Sequence, residues 1–145
     1  MGQRKKLAAD ARKEAKKSVC IARATDVPTS PRKMRLLADV IREKDVMDAL
    51  NILMFSTKHA SKTMEKLVRS AIANWEQKFE TKAEDSELYI KSVMIDSARM
   101  LKRFQPAPQG RAYRIRKRSN HITVQLASRN QNELVAETTE SSNEN

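Results

Sequence analysis

Between positions 97 and 132 the chain carries nine lysines and arginines and not one aspartate or glutamate. The cations are Arg99, Lys102, Arg103, Arg111, Arg114, Arg116, Lys117, Arg118 and Arg129. In their midst stands Gln105-Pro106-Ala107-Pro108-Gln109-Gly110, a run of turn formers. Such a segment folds back on itself at the Pro/Gly tip and cannot bury its own flanks, because like charges repel and long cationic side chains are costly to desolvate. A polyanion on both sides removes that repulsion. The pattern describes a finger that sits inside nucleic acid rather than touching it from one face.

Charge is unevenly spread: +8 over positions 1–35, −2 over 36–96, +9 over 97–132 and −4 over 133–145. A near-neutral middle flanked by basic segments points to a dedicated anionic partner. Membrane lipid fits poorly, since Leu7, Ala8, Ala11 and Ala15 form too weak an apolar stripe for an interfacial anchor. No apolar run is long enough to span a bilayer. The single cysteine, Cys20, forms no internal disulfide, which suits a reducing compartment.

With 145 residues the chain supports one domain plus tails. Positions 1–17 are Lys-, Arg- and Ala-rich and read as a basic arm, disordered or nascently helical until bound. Positions 19–25 alternate and suggest a short strand. Ser30-Pro31 starts a helix running to about Arg42, with Met34, Leu37, Val40 and Ile41 at helical spacing. Asp45 caps a second helix that buries Val46, Ala49, Leu50 and Leu53. Ser56 or Thr57 opens a third, whose stripe is Ala60, Met64, Leu67, Val68, Ala71, Ile72, Trp75 and Phe79. Positions 80–87 form an acidic loop. Positions 88–96 and 120–126 read as strands, joined by a hairpin whose outward extension is 97–118. The expected class is α+β: three helices packed on a small three-stranded antiparallel sheet, with a long protruding β-hairpin. The domain spans 18–128, and 129–145 is an acidic disordered tail.

Two places invite a ligand. In a strand, Arg114, Arg116 and Arg118 share one face, and Tyr113, Ile115 and Lys117 the other. Guanidinium groups bridge phosphates bidentately, and Phe104 and Tyr113 flank the turn as stacking surfaces for bases. Arg32, Lys33 and Arg35 load the first turns of the helix with cations that its dipole opposes, and a docked phosphate reverses that balance. Trp75 and Phe79 belong to the core stripe. His59, His121 and Cys20 lack metal-ligand spacing, and with two glycines in the chain there is no phosphate-cradling loop. No catalytic constellation and no cofactor site emerges. A helix-turn-helix over 31–42 and 45–54 leaves the cationic finger unexplained and places no arginine on its second helix. An RNA-modifying enzyme lacks groups to supply its chemistry.

The stretches VPTSPRKMRLLADVIREKDVMDALNIL, KLVRSAIANWEQ and MLKRFQPAPQGRAYRIRKRSNHITV resemble the universal large-subunit ribosomal protein twenty-two family in its bacterial form, over about 18–128. The resemblance implies a non-enzymatic, cofactor-free α+β protein of the cytoplasmic ribosome, one copy per particle, bound to large-subunit ribosomal RNA and neighbouring ribosomal proteins. It implies that the hairpin, with arms at about 88–104 and 111–126, lines the peptide exit tunnel, and that its tip, 105–110, faces the nascent polypeptide. Subunit assembly is the second implied role. The family commonly has glycine where Glu43 stands, so a left-handed helix end is less easily made here.

Overall fold

The structure, a computed structural model, describes residues 3–80 and 87–129, with backbone only for 14–18. Chain order is α1 (Gln3–Ser18), β1 (Cys20–Val27), α2 (Pro31–Ile41), α3 (Val46–Phe55), α4 (Ser61–Phe79), β2 (Leu88–Ser97), β3 (Leu101–Pro106), a short 3-10 turn (Pro108–Gly110), β4 (Ala112–Lys117) and β5 (Asn120–Ser128). The α+β class holds, with two corrections in detail. There are four described helices rather than three, because the basic arm is itself helical. The five strands form two sheets, one of three strands and one of two. Alanine, lysine and arginine are strong helix formers, which favours α1 although none of its described side chains is buried; Leu7 in it is 69% exposed.

The three-stranded antiparallel sheet has the order β1-β5-β2, so the last strand is the central one. Alternate residues face the helices: Cys20, Ala22, Ile90, Val93, Ile95, Ile122, Val124 and Leu126 are buried. Ile122 pairs with Ala24 on one side and Ile95 on the other; Val124 pairs with Ala22 and Val93. The Cys20 thiol reaches the Ala71 carbonyl at 3.5 Å, and burial pushes its pKa up against a smaller opposing pull from Lys78. It serves as a small core residue.

α4 supplies the opposite wall. Met64, Leu67, Val68, Ala71 and Trp75 are buried, with Ile72 and Phe79 packed against them. The Trp75 and Phe79 rings lie 4.2 Å apart at their centroids. The helix begins at Ser61, not at Ser56 or Thr57. Ser56 is extended, the Ser61 hydroxyl donates to the Ser56 carbonyl (3.3 Å), and the Ser61 N–H donates to Lys58 O (2.9 Å). Hydroxyl side chains here stabilise a local turn in place of another helical turn.

α2 starts as expected, with Ser30 extended and Pro31 at the first position, but the Ser30 hydroxyl makes no capping bond. Met34, Leu37, Ala38 and Ile41 form its buried stripe. Glu43, after the helix, adopts φ 63°. The cost of that left-handed residue is offset by pairing: the Glu43 N–H donates to Ile90 O (3.0 Å) and the Ile90 N–H to Lys44 O (2.9 Å). The link between α2 and α3 is thus stitched to the edge of β2. Asp45 precedes α3 without capping it; its carboxylate takes a 2.8 Å ion pair from Arg129 instead. α3 buries Val46, Ala49, Leu50 and Leu53, as its spacing indicates. Most of the acidic loop expected at 80–87 and most of the 129–145 tail lie outside the described residues. No helix among the described residues is long and apolar enough to cross a membrane.

Candidate nucleic-acid interface

β2 and β5 belong to the body sheet and are continued in the chain, after a break at Ala98–Met100 and Arg118–Ser119, by β3 and β4. The expected continuous arms, 88–104 and 111–126, are therefore interrupted. The Ala98 N–H donates to Ser119 O (3.0 Å), closing the neck across that break. Arg99 and Arg118 fall in the neck, outside the strands, so Arg118 does not share the β4 face with Arg114 and Arg116.

The hairpin pairs Leu101 with Lys117, Lys102 with Arg116, Arg103 with Ile115, Phe104 with Arg114, Gln105 with Tyr113 and Pro106 with Ala112. Paired residues in an antiparallel ribbon share a face. One face therefore carries Lys102, Phe104, Arg114 and Arg116; the other carries Leu101, Arg103, Tyr113, Ile115 and Lys117. Lys102 stands directly opposite Arg116, an arrangement that destabilises an isolated ribbon. Each face has one aromatic ring, Phe104 being 69% and Tyr113 65% exposed. Every β3 side chain is exposed, and in β4 only Ile115 is even half-buried. Among the described residues no ion pair reaches any hairpin cation. A hollow of about 570 Å³ opens beside Lys102, Phe104, Arg114 and Arg116.

The tip is shorter than the turn-forming run. Gln105 and Pro106 lie in β3, which tolerates proline because both strands of a two-stranded ribbon are edges. The Ala107 N–H closes the loop onto Arg111 O (2.9 Å), around Pro108, Gln109 and Gly110. Gln109 and Gly110 both take positive φ, 62° and 71°. A Cβ at Gly110 meets nothing within 4 Å, so backbone conformation alone favours glycine there.

The start of α2 lies at the base of this finger. Asn120, fully buried at the first position of β5, donates through Nδ2 to both the carbonyl and the hydroxyl of Thr29, each at 2.7 Å. Arg35 donates to Ile95 O in β2 at 3.1 Å, which gives it a structural partner; Arg32 and Lys33 remain exposed. That bond spans sixty positions and ties the basic first turns of α2 to the strand that leads into the neck. Sequence reading missed Asn120 in this role. A lone asparagine opening an apolar strand was its signal. It also missed Lys58 and His59, which with Thr29, Ser30, Lys33 and Leu36 line a groove of about 570 Å³ beside the α2 start. Among the described residues no group of three His, Cys, Asp or Glu side chains is placed to hold a metal.

A family model described as "Ribosomal protein L22p/L17e" matches residues 22–127, the body and the whole hairpin. The chain belongs to this family. Its members are structural constituents of the ribosome and not enzymes. Among similar proteins are the large ribosomal subunit protein uL22 of Bacteroides fragilis (57% identical over 133 residues, covering 92% of this chain and 98% of that protein), that of Parabacteroides distasonis (60% over 124 residues, 86% and 91%) and that of Flavobacterium psychrophilum (56% over 136 residues, 93% and 99%). The L22p/L17e match itself begins after α1.

Proposed function

We propose that this chain is a structural constituent of the cytoplasmic large ribosomal subunit, one copy per ribosome, that binds large-subunit ribosomal RNA and assists subunit assembly. The observation that carries the proposal is the hairpin: a two-stranded ribbon with cations and one exposed aromatic on each face and no acid to neutralise them. RNA folded around the ribbon satisfies both faces, with Lys102, Arg103, Arg111, Arg114, Arg116 and Lys117 on phosphates and Phe104 and Tyr113 against bases. Arg32, Lys33, Arg99 and Arg118 extend that contact around the neck, and Arg35 holds α2 in place there. The residues 18–128 act as the RNA-bound unit. The tip, Gln105 to Gly110, lines the peptide exit tunnel and meets the nascent polypeptide, and the body meets neighbouring ribosomal proteins.

The test is binding to large-subunit ribosomal RNA across a salt series. Each phosphate neutralised releases counterion, so log affinity falls against log salt with a slope of about −0.7 to −0.9 per contact. A steep slope, together with co-sedimentation with large subunits in low salt, supports the proposal. A flat response, or a protein that sediments apart from the subunit, overturns it.

A further inference from the structure

α1 leaves the body at the end of the sheet remote from the finger. Val27 of β1 pairs with Asn120, where β5 emerges from the neck, whereas Cys20 pairs with Leu126 towards the other end of β5. Asn120 and Leu126 are six positions apart along that strand, about 20 Å. α1 ends at Ser18, just before β1 begins at Cys20, so its root and the root of the finger stand at opposite ends of one sheet.

Its cations are gathered on one side. Lys5, Lys6, Arg12 and Lys13 are all exposed and fall within an arc of about 120° around the helix. Lys5 and Arg12 are seven positions apart, as are Lys6 and Lys13. Seven residues make nearly two turns and rise about 10.5 Å, so the four stand in two parallel rows. Leu7, Ala8 and Ala11 lie on the other side, with Arg4. Among the described residues Lys5, Lys6 and Arg12 enter no ion pair, and Lys13 stands 3.5 Å from Asp10. The first turn holds Arg4, Lys5 and Lys6 and no acid, a loading that the helix dipole opposes and a bound anion reverses.

We propose that this side of α1 is a second RNA-binding surface, and that it holds the two phosphate rows facing each other across the major groove of an RNA duplex. That groove is deep and narrow in A-form RNA: it brings the two backbones together and keeps side chains from the base edges. Two rows of cations match it in charge and shape. Between positions 3 and 13 no Asn, Ser or Thr and no aromatic residue is present to read or stack on a base, and Gln3 lies off the cationic side. The finger differs, since Phe104 and Tyr113 stand exposed beside its cations and suit unpaired nucleotides. The chain thus grips a duplex at one end of its sheet and unpaired RNA at the other, and ties the two together. The α1 surface deepens the RNA-binding reading above and rests on it for the identity of the RNA.

The first test is binding of the full chain to a 16-base-pair RNA duplex of arbitrary sequence. K5Q/K6Q/R12Q/K13Q removes four charges while keeping good helix formers. Its affinity in low salt is expected to fall on the order of tenfold, and its salt slope to become shallower by about three, for four contacts at about 0.7–0.9 each. The loss should be smaller on an unstructured 32-nucleotide strand; equal losses on duplex and strand overturn the assignment. K44Q/K62Q/K66Q/K91Q removes four exposed charges from the body and should weaken duplex binding far less. An equal loss in that variant means a general charge effect and overturns the proposal.

The second test locates the two grips. Cys20 is buried, so an iron chelate that generates hydroxyl radicals goes onto a cysteine introduced by Ala8→Cys or by Gln105→Cys. On large-subunit ribosomal RNA, the chelate at position 8 is expected to cut both strands of a duplex, at sites separate from those cut from position 105. Cuts from position 8 confined to unpaired RNA, or shared with position 105, overturn the proposal. Duplex cuts from position 8 with none from position 105 overturn the reading of the finger alone.

Discussion

β5 and β4 belong to one continuous stretch of chain, yet they live in different worlds. In β5 every second residue is buried, from Asn120 through Ile122, Val124 and Leu126 to Ser128. In β4, two residues before it, nothing is buried. The body is held by apolar area removed from water, worth about 25 cal/mol per Å². The hairpin has only its cross-strand pairs, and one of those sets lysine against arginine. An isolated two-stranded ribbon is at best marginal in water. The difference teaches that one ribbon of strand is stabilised by two different solvents: its own helices below the neck, and an external partner above it.

Core truncation tests that contrast hardest. Trp75→Ala removes a side chain only 1% exposed and should cost about 3–5 kcal/mol in urea unfolding. The matching change in the ribbon, Leu101→Ala, should cost less than about 0.5 kcal/mol. Comparable losses at both sites would mean that the hairpin belongs to the core.

Replacing residues 100–116 by a short glycine link should leave the far-UV helical signal and cooperative unfolding intact while ribosomal RNA affinity drops on the order of a hundredfold. Loss of the helical signal would erase the division between the two regions. A finer probe is charge at one hairpin site. Arg114→Glu should weaken RNA binding about tenfold more than Arg114→Ala, since reversal adds repulsion from phosphate, with thermal stability unchanged in both. Equal losses would point to packing rather than charge. The smallest effect is expected in the body. Glu43→Gly relieves a left-handed residue and should stabilise by about 0.5–1 kcal/mol, with no change in RNA binding.

Much of the body was legible beforehand. The stripes of α2, α3 and α4 repeat within three or four residues, and a helix reads that spacing locally. The third helix was misplaced by about five residues at its start because serine and threonine serve turns and caps alike, and only the Ser61–Ser56 bond decided between them. The hairpin was legible from its acid-free run, but its tip was overextended, since nothing local distinguishes Pro106 in an edge strand from Pro106 in a turn.

By itself the sequence determined where helices form, where the chain must turn, and that one segment cannot bury itself; each of these depends on residues close together along the chain. Only tertiary structure decided that β5 lies at the centre of the sheet, that Phe104 and Tyr113 face opposite ways, and that Asn120 holds Thr29 at the base of the finger. Those outcomes depend on strand register and long-range hydrogen bonds, whose partners lie as far apart as Cys20 and Leu126. Hydrophobic spacing and charge along the chain carry no record of such partners.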